Sequence, residues 1–199
     1  IIWSYDSSWI CLRVNKFISR LSFNRNLNPL TGLPGNIIIN MEIERLFINS
    51  SEERVLLYLD LNNFKPYNDC YGFSAGDRVI KDLASIIRQA LSDSNGDYSF
   101  LGHVGGDDFV AILPPASVEK VANRIIKDFE ERRRLFYHPV DFQRQCIISV
   151  DREGYPRRFP LLSLSLVSFS NKTQRFQNIK EVGEFASLLK HLAKKNTDR

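Results

Sequence analysis

The sequence predicts an α+β fold, with helices packed around one sheet. Two observations carry that prediction. Short β-rich apolar runs alternate with longer stretches whose apolar residues recur every three or four positions. Pro, Gly, Asn and Asp cluster between these segments, where turns are needed. The 199 residues suffice for one ordinary domain plus extra segments. At 43% hydrophobic and 25% charged residues, the chain can bury a core and is not a disordered polyelectrolyte.

Taken in order, Ile10, Val14, Phe17, Ile18 and Leu21 follow the spacing of an amphipathic helix. Residues 1–27 therefore read as a helical linker, either a stalk to an upstream partner or a helix packed on the domain. A Pro- and Gly-dense loop follows from Asn28 to Asn36. The next helix has Ile37, Met41, Ile43 and Leu46 to Ile48 on its apolar face. Val55 to Leu59 reads as a buried strand ending at Asp60. Ser74 to Asp77 opens a helix whose clear period runs from Arg78 to Leu91. Phe109 to Leu113 is a second buried strand, stopped by Pro114-Pro115, and Val118 to Phe129 is a helix. Gln145 to Val150 reads as a strand, Asp151 to Gly154 as a turn, and Pro160 to Phe169 as a long strand. A helix over Val182 to Lys195 closes the chain.

Several function classes drop out early. No apolar run has the length of a membrane span, and Pro160 to Phe169 is interrupted by three serines. Cys11, Cys70 and Cys146 are an odd number at unrelated spacings, which fits a reducing compartment and neither a disulfide framework nor a zinc site. The chain lacks an initiator Met and a signal-peptide pattern, so it is expected to be part of a larger cytoplasmic protein, free or membrane-bound. The net charge of +4 is concentrated at Arg132 to Arg134, Arg157-Arg158 and the stretch from Lys190 to Arg199. A solvated helix face accounts for the first cluster. No zinc-finger spacing or aromatic RNA-binding signature is present, so nucleic acid is not an expected partner.

The chemistry is concentrated in carboxylates. Asp60 stands at the end of a buried strand, where open sheets place ligand-binding groups. Gly105-Gly106-Asp107-Asp108-Phe109 sets two acids side by side before another buried strand. On a regular strand their side chains would point to opposite faces. A glycine turn with positive φ can re-aim them. Read alone, the motif is an ordinary hairpin turn, and Asp77 is an ordinary helix-start residue. Should the two strands pair, Asp60, Asp107 and Asp108 converge. Clustered carboxylates call for a cation, and hard oxygen ligands select Mg2+ or Mn2+. Such ions serve phosphoryl or nucleotidyl transfer, and Lys65 and Lys194 are candidates to neutralise phosphate.

Over residues 28–195 these motifs resemble the GGDEF-type diguanylate cyclases. Asn28 to Asn36 is similar to the family's opening D-x-L-T-G-L-P-N-R. Asp60 to Asp77 resembles its D-x-D-x-F-K-x-x-N-D-x-x-G-H-x-x-G-D, and Gly105 to Phe109 resembles the signature in a GGDDF form. Ser163 to Ser165 looks like the late strand, and Leu192-Ala193-Lys194 like the terminal A-K. The resemblance implies a mostly antiparallel sheet of the nucleotide-cyclase and polymerase-palm kind over residues 28–199. It implies condensation of two GTP into cyclic di-GMP by a homodimer in which each subunit holds one GTP. By position, Asp60, Asp107 and Asp108 would ligate the metal with the Leu61 carbonyl, one of the paired acids serving instead to activate the attacking hydroxyl. Asn68 and Asp77 would read guanine, as an amide and a carboxylate can. Phe64, Lys65, Gly105, Gly106 and Lys194 would lie along the phosphates.

Departures from the family pattern are specific. Asp108 stands for the usual Glu, Asn62 and Asn28 for frequent acids, Phe73 for His, and His103 for Arg. His103 reads either as a phosphate or dimer contact or as a packed strand-end residue; packing is the favoured reading. The stretch Asn95 to Gly102 lacks the Arg of the family's product-inhibition site, so tight feedback inhibition is not expected. Residues 132–160 exceed the family's usual connection, and a β-hairpin extension is expected there. The expected function is diguanylate cyclase activity. The alternative is a non-catalytic GTP-binding domain that regulates a neighbouring sensory or phosphodiesterase domain.

Overall fold

The computed structural model describes residues 26–93, 98–150 and 154–197. Apart from residues 26 and 27, the expected N-terminal helix lies outside the described residues, as do residues 151–153 of the expected turn.

A four-stranded antiparallel sheet forms the centre. Its strands are β1 (Val55–Asn62), β2 (Phe100–Gly105), β3 (Asp108–Leu113) and β6 (Ser163–Ser170), in the order β2-β3-β1-β6. Strand β1 is flanked on both edges and is almost wholly buried, which is why its sequence is a continuous apolar run rather than an alternation. The period of two still sorts its side chains. Leu57, Leu59 and Leu61 join Phe109, Ala111 and Leu113 in one core layer, beneath Val79 and Leu83 of helix α3 (Phe73–Ser92) and Ile125 of α4 (Pro115–Arg133). Leu56, Val110 and Ile112 face the other way. They pack against Ile39 of α1 (Asn36–Glu42), Phe47 of the π-helical turn Ile43–Ile48, and Val182 and Ala186 of α6 (Ile179–Thr197). Each fully buried Leu or Ile contributes about 1.5–3 kcal/mol, so both layers are needed to hold the sheet.

The sequence-based boundaries shift at several points. Residues between β1 and α3 form a helix of their own, α2 (Phe64–Tyr71), with Pro66 in its first turn where a missing N–H costs little. Gly72, at φ 83°, separates α2 from α3, so α3 begins at Phe73, one residue before the expected opening at Ser74. Strand β1 runs two residues beyond Asp60.

The expected single strand over Pro160 to Phe169 is two strands. Pro160 ends β5 (Pro156–Pro160), which pairs antiparallel with β4 (Cys146–Val150); the expected hairpin forms, but as a separate two-stranded sheet and not as an extension of the main one. Leu161 and Leu162 then cross to the main sheet. Side chains satisfy their main chain: the Leu162 N–H donates to Tyr137 Oη at 2.7 Å, Arg133 donates to the Leu162 carbonyl, and Asn63 to that of Leu161. Two further helical pieces, a 3₁₀ turn over Arg134–Phe136 and α5 (Pro139–Arg144), lead into this hairpin. No described helix is long and apolar enough to cross a membrane.

Candidate metal and nucleotide site

Antiparallel pairing of β1 with β3 sets Asp60 directly opposite Asp108. Both lie on the sheet face that carries Tyr58 and Val110, the face covered by α6. Between β2 and β3 the register shifts after His103, and Gly105 (φ 147°) and Gly106 (φ 58°) make the turn. That turn delivers Asp107 to the same place, so one oxygen from each of Asp60, Asp107 and Asp108 lies within 4.8 Å of the others. A Cβ on either turn glycine would meet nothing within 4 Å, which leaves the backbone open to a ligand. Leu61 turns its side chain into the opposite core layer, and only its main chain is available here.

A lysine that the motifs did not single out completes the cluster. Lys190 Nζ donates to Asp60 Oδ1 and to Asp108 Oδ1, each at 2.6 Å, and lies 5.5 Å from the centre of the Tyr58 ring. On α6, Val182 and Ala186 are buried against the sheet, and Lys190 is the next residue at that spacing of four. The signal was therefore present in the sequence: a lysine continuing an apolar helical stripe. Lys194 lies one turn further on, and its side chain is outside the described residues.

Electrostatics follow from this crowding. Burial pushes the Asp108 carboxyl up to about 6, and like charge on Asp60 adds to the rise while Lys190 opposes it. For Lys190, burial favours the neutral amine, but bonds to Asp108 and Asp60 outweigh it and hold the ammonium well above its usual range. One ammonium is thus shared by two facing acids. Burial, then the Asp108 charge, lifts the Tyr58 hydroxyl to about 12.

A second group gathers at the α2–α3 junction. Asn68 Oδ1 is buried with no hydrogen-bond partner among the described residues. It faces Gly76, as does the ring of Phe64. Asp77 is the next residue and is exposed, and Lys65 is exposed on α2. The fold brings Asn68 and Asp77, expected at guanine, and Phe64, expected along the phosphates, to one helix junction. Among the described residues, Lys190 is in contact with the acids; Lys65, expected along the phosphates, is exposed on α2.

Two of the departures from the motif, Asn62 and His103, find structural partners. Asn62 donates to Ser163 Oγ (3.0 Å) and Ser165 Oγ (2.8 Å), tying β1 to β6. His103 is buried and stacked on Phe109 with ring centres 4.3 Å apart, in agreement with the packed reading. Its Nε2 lies 3.1 Å from the Gly106 carbonyl and its Nδ1 3.0 Å from Thr31 Oγ1. A carbonyl only accepts, so the proton sits on Nε2 and the Thr31 hydroxyl donates to Nδ1. The ring thereby joins the Asn28–Asn36 loop to the glycine turn.

Comparison with known proteins bears on this arrangement. A family model described as "Diguanylate cyclase, GGDEF domain" matches residues 25–150. The probable diguanylate cyclase DgcE of Escherichia coli is 33% identical over 117 residues, covering 56% of this chain and 10% of that protein. The diguanylate cyclase DgcZ of the same organism is 32% identical over 101 residues, 50% of this chain and 33% of DgcZ. Its cyclic di-GMP phosphodiesterase PdeR is 32% identical over 111 residues, 54% of this chain and 16% of PdeR. The chain thus spans a third or less of these curated relatives. Among solved structures, the coiled coil and GGDEF domain of DgcB from Caulobacter crescentus, in complex with c-di-GMP, has a similar fold. The TM-score is 0.65 at 20% identity, over 96% of this chain and 92% of that one.

Proposed function

The chain belongs to the diguanylate cyclase, GGDEF domain family, and from that premise we propose that it condenses two GTP molecules into cyclic di-GMP and releases two pyrophosphates. The observation that carries this reading is the convergence of Asp60, Asp107 and Asp108 across the β1–β3 pair. Three carboxylate oxygens within a few ångströms are a hard donor set suited to Mg2+ or Mn2+. The Leu61 carbonyl would complete it from the main chain. A divalent ion held there would neutralise triphosphate charge and polarise the α-phosphate.

The protein's own groups supply the rest. Asn68 Oδ1, a buried acceptor with no donor among the described residues, would accept a guanine N–H, and Asp77 would accept from the neighbouring guanine amino group. Phe64, Gly105 and Gly106 would lie along the phosphates, with Lys65 and Lys194 countering their charge. One of Asp107 and Asp108 would take the proton of the attacking 3′-hydroxyl. The new bond joins that oxygen to the α-phosphorus of the second GTP, and the bond to its pyrophosphate breaks. Repeating the step in the opposite sense closes the ring. Each subunit carries one GTP, so turnover requires a homodimer with the two sites facing.

A second reading is a non-catalytic GTP-binding domain that regulates a neighbouring sensory or phosphodiesterase domain. The observation that favours it is Lys190 Nζ lying 2.6 Å from both Asp60 and Asp108. The deciding experiment incubates purified protein with GTP and Mg2+ across a range of protein concentrations and quantifies cyclic di-GMP by chromatography. Product that rises more than linearly with protein supports the cyclase. GTP binding with no product at the highest concentration, in both the native protein and Asp108→Glu, supports the regulatory domain.

A further inference from the structure

The ammonium of Lys190 and a divalent ion would need the same two oxygens. Nζ sits 2.6 Å from Asp60 Oδ1 and 2.6 Å from Asp108 Oδ1. An Mg2+ bound by both carboxylates would lie about 2.0–2.1 Å from an oxygen of each. Two cations cannot share that bridge, since like charges so close repel strongly and the half-buried site offers little screening. An ammonium on a four-carbon stem is compact enough to fill the position and flexible enough to leave it.

The fold delivers Lys190 there deliberately in the mechanical sense. Val182 and Ala186 fix α6 on the sheet. The next residue of the same stripe must then project over Tyr58, Asp60 and Asp108, and the Tyr58 ring face receives the ammonium at 5.5 Å. A leucine at this position would leave two facing carboxylates, Asp60 and Asp108, without a cation.

We propose that Lys190 is a tethered competitor of the catalytic metal: it bridges Asp60 and Asp108 when no metal is bound and is displaced when the metal arrives with the nucleotide. This inference rests on the metal-dependent reading above. Its consequence is that the free protein binds divalent ions weakly. Tight binding requires the triphosphate, which supplies both extra metal ligands and a new anionic partner for the released ammonium. The domain would then load metal and GTP together, not metal first.

Mn2+ binding without nucleotide, followed by the loss of the free-ion electron paramagnetic resonance signal, tests this. Native protein, Lys190→Met and Lys180→Met are compared. Lys180 lies on the same helix, exposed and paired to Glu184, and controls for loss of one positive charge. Lys190→Met is expected to bind Mn2+ at least tenfold more tightly than native protein, and Lys180→Met within twofold of native. In thermal melts without metal, Lys190→Met should melt lower than native and recover more on adding Mn2+. Should Lys190→Met not fold, Lys190→Gln carries the same expectations, because it keeps a polar head without the charge. Equal Mn2+ affinity in native and Lys190 variants would overturn the competition while leaving the metal site in place. No Mn2+ binding by a folded Lys190 variant would overturn both.

Discussion

Asn68 and Gly76 are in a contact that leaves no room for a side chain at residue 76 unless Asn68 moves: a Cβ there would lie 1.9 Å from Asn68 Oδ1 and 2.9 Å from its Cγ. Gly76 is helical, so its role is space and not positive φ. In an ordinary exposed helix, Gly→Ala stabilises by about 1 kcal/mol. Here the same change must push Asn68 away. Gly76→Ala is expected to destabilise by about 1–3 kcal/mol, as overpacking does. It should also weaken GTP binding about tenfold or more, the scale of losing one well-made polar contact in a site. Chemical denaturation and titration with a fluorescent GTP analogue check the two effects. A variant that is more stable than native and binds GTP equally would show that Asn68 does not face the base.

Tyr137 holds the point where the chain passes from the small sheet to the large one. Its hydroxyl accepts the Leu162 N–H at 2.7 Å in a buried setting, and its ring packs edge-on against Tyr67 and Tyr71. Tyr137→Phe keeps the rings and strands the N–H. An unsatisfied buried donor costs about 1–3 kcal/mol, and denaturant unfolding should show that loss. Circular dichroism should stay native.

Much of the site was legible because its residues are ordered motifs. Asp60, Asp107 and Asp108 could be proposed as a group, since strand pairing is the natural way to bring a strand end to a glycine turn. What escaped was set by tertiary context. Helix α2 is short and polar, and its stability comes from Tyr67 in the core rather than from propensity. The break at Leu161-Leu162 is invisible as periodicity because both residues are as apolar as the strands beside them, and only the side chains of Tyr137, Arg133 and Asn63 decide it. Lys190 lies outside the terminal Ala193-Lys194 motif, and only the packing of Val182 and Ala186 on the sheet shows that it continues the buried stripe one turn earlier.

Asn62 offers a test of the acid cluster from its edge. Its amide links Ser163 and Ser165, on the same strand face as Asp60 two residues away. Asn62→Asp keeps an acceptor, and the serine hydroxyls can turn to donate, so the main cost is a further negative charge beside Asp60. The variant is expected to lose about 1–2 kcal/mol without metal, an ordinary cost for a point change that adds unpaired charge. Millimolar Mg2+ should restore more of that loss than it adds to the native protein. Melting curves with and without Mg2+ measure the difference.

His103 gives the domain a defined acid sensitivity. Burial lowers its pKa below the ordinary 6.5, more than the Gly106 carbonyl and the Asp107 charge raise it. The unfolded chain therefore binds a proton at a pH where the folded one does not. Stability is fully present above about 6.5, falls as the pH drops below it, and has lost the whole contribution once the pH is below the folded value. The molecular cause is local. A second proton on Nδ1 removes the acceptor that Thr31 now uses and places charge in the stack on Phe109. His103→Gln can still donate to the Gly106 carbonyl but does not titrate. It should be less stable at pH 7 by about 0.5–1.5 kcal/mol, the worth of a stacked aromatic pair, and the gap to native should narrow between pH 7 and pH 5. Urea midpoints across that range measure it. A gap that stays constant would mean that His103 does not take up its proton on unfolding in this interval.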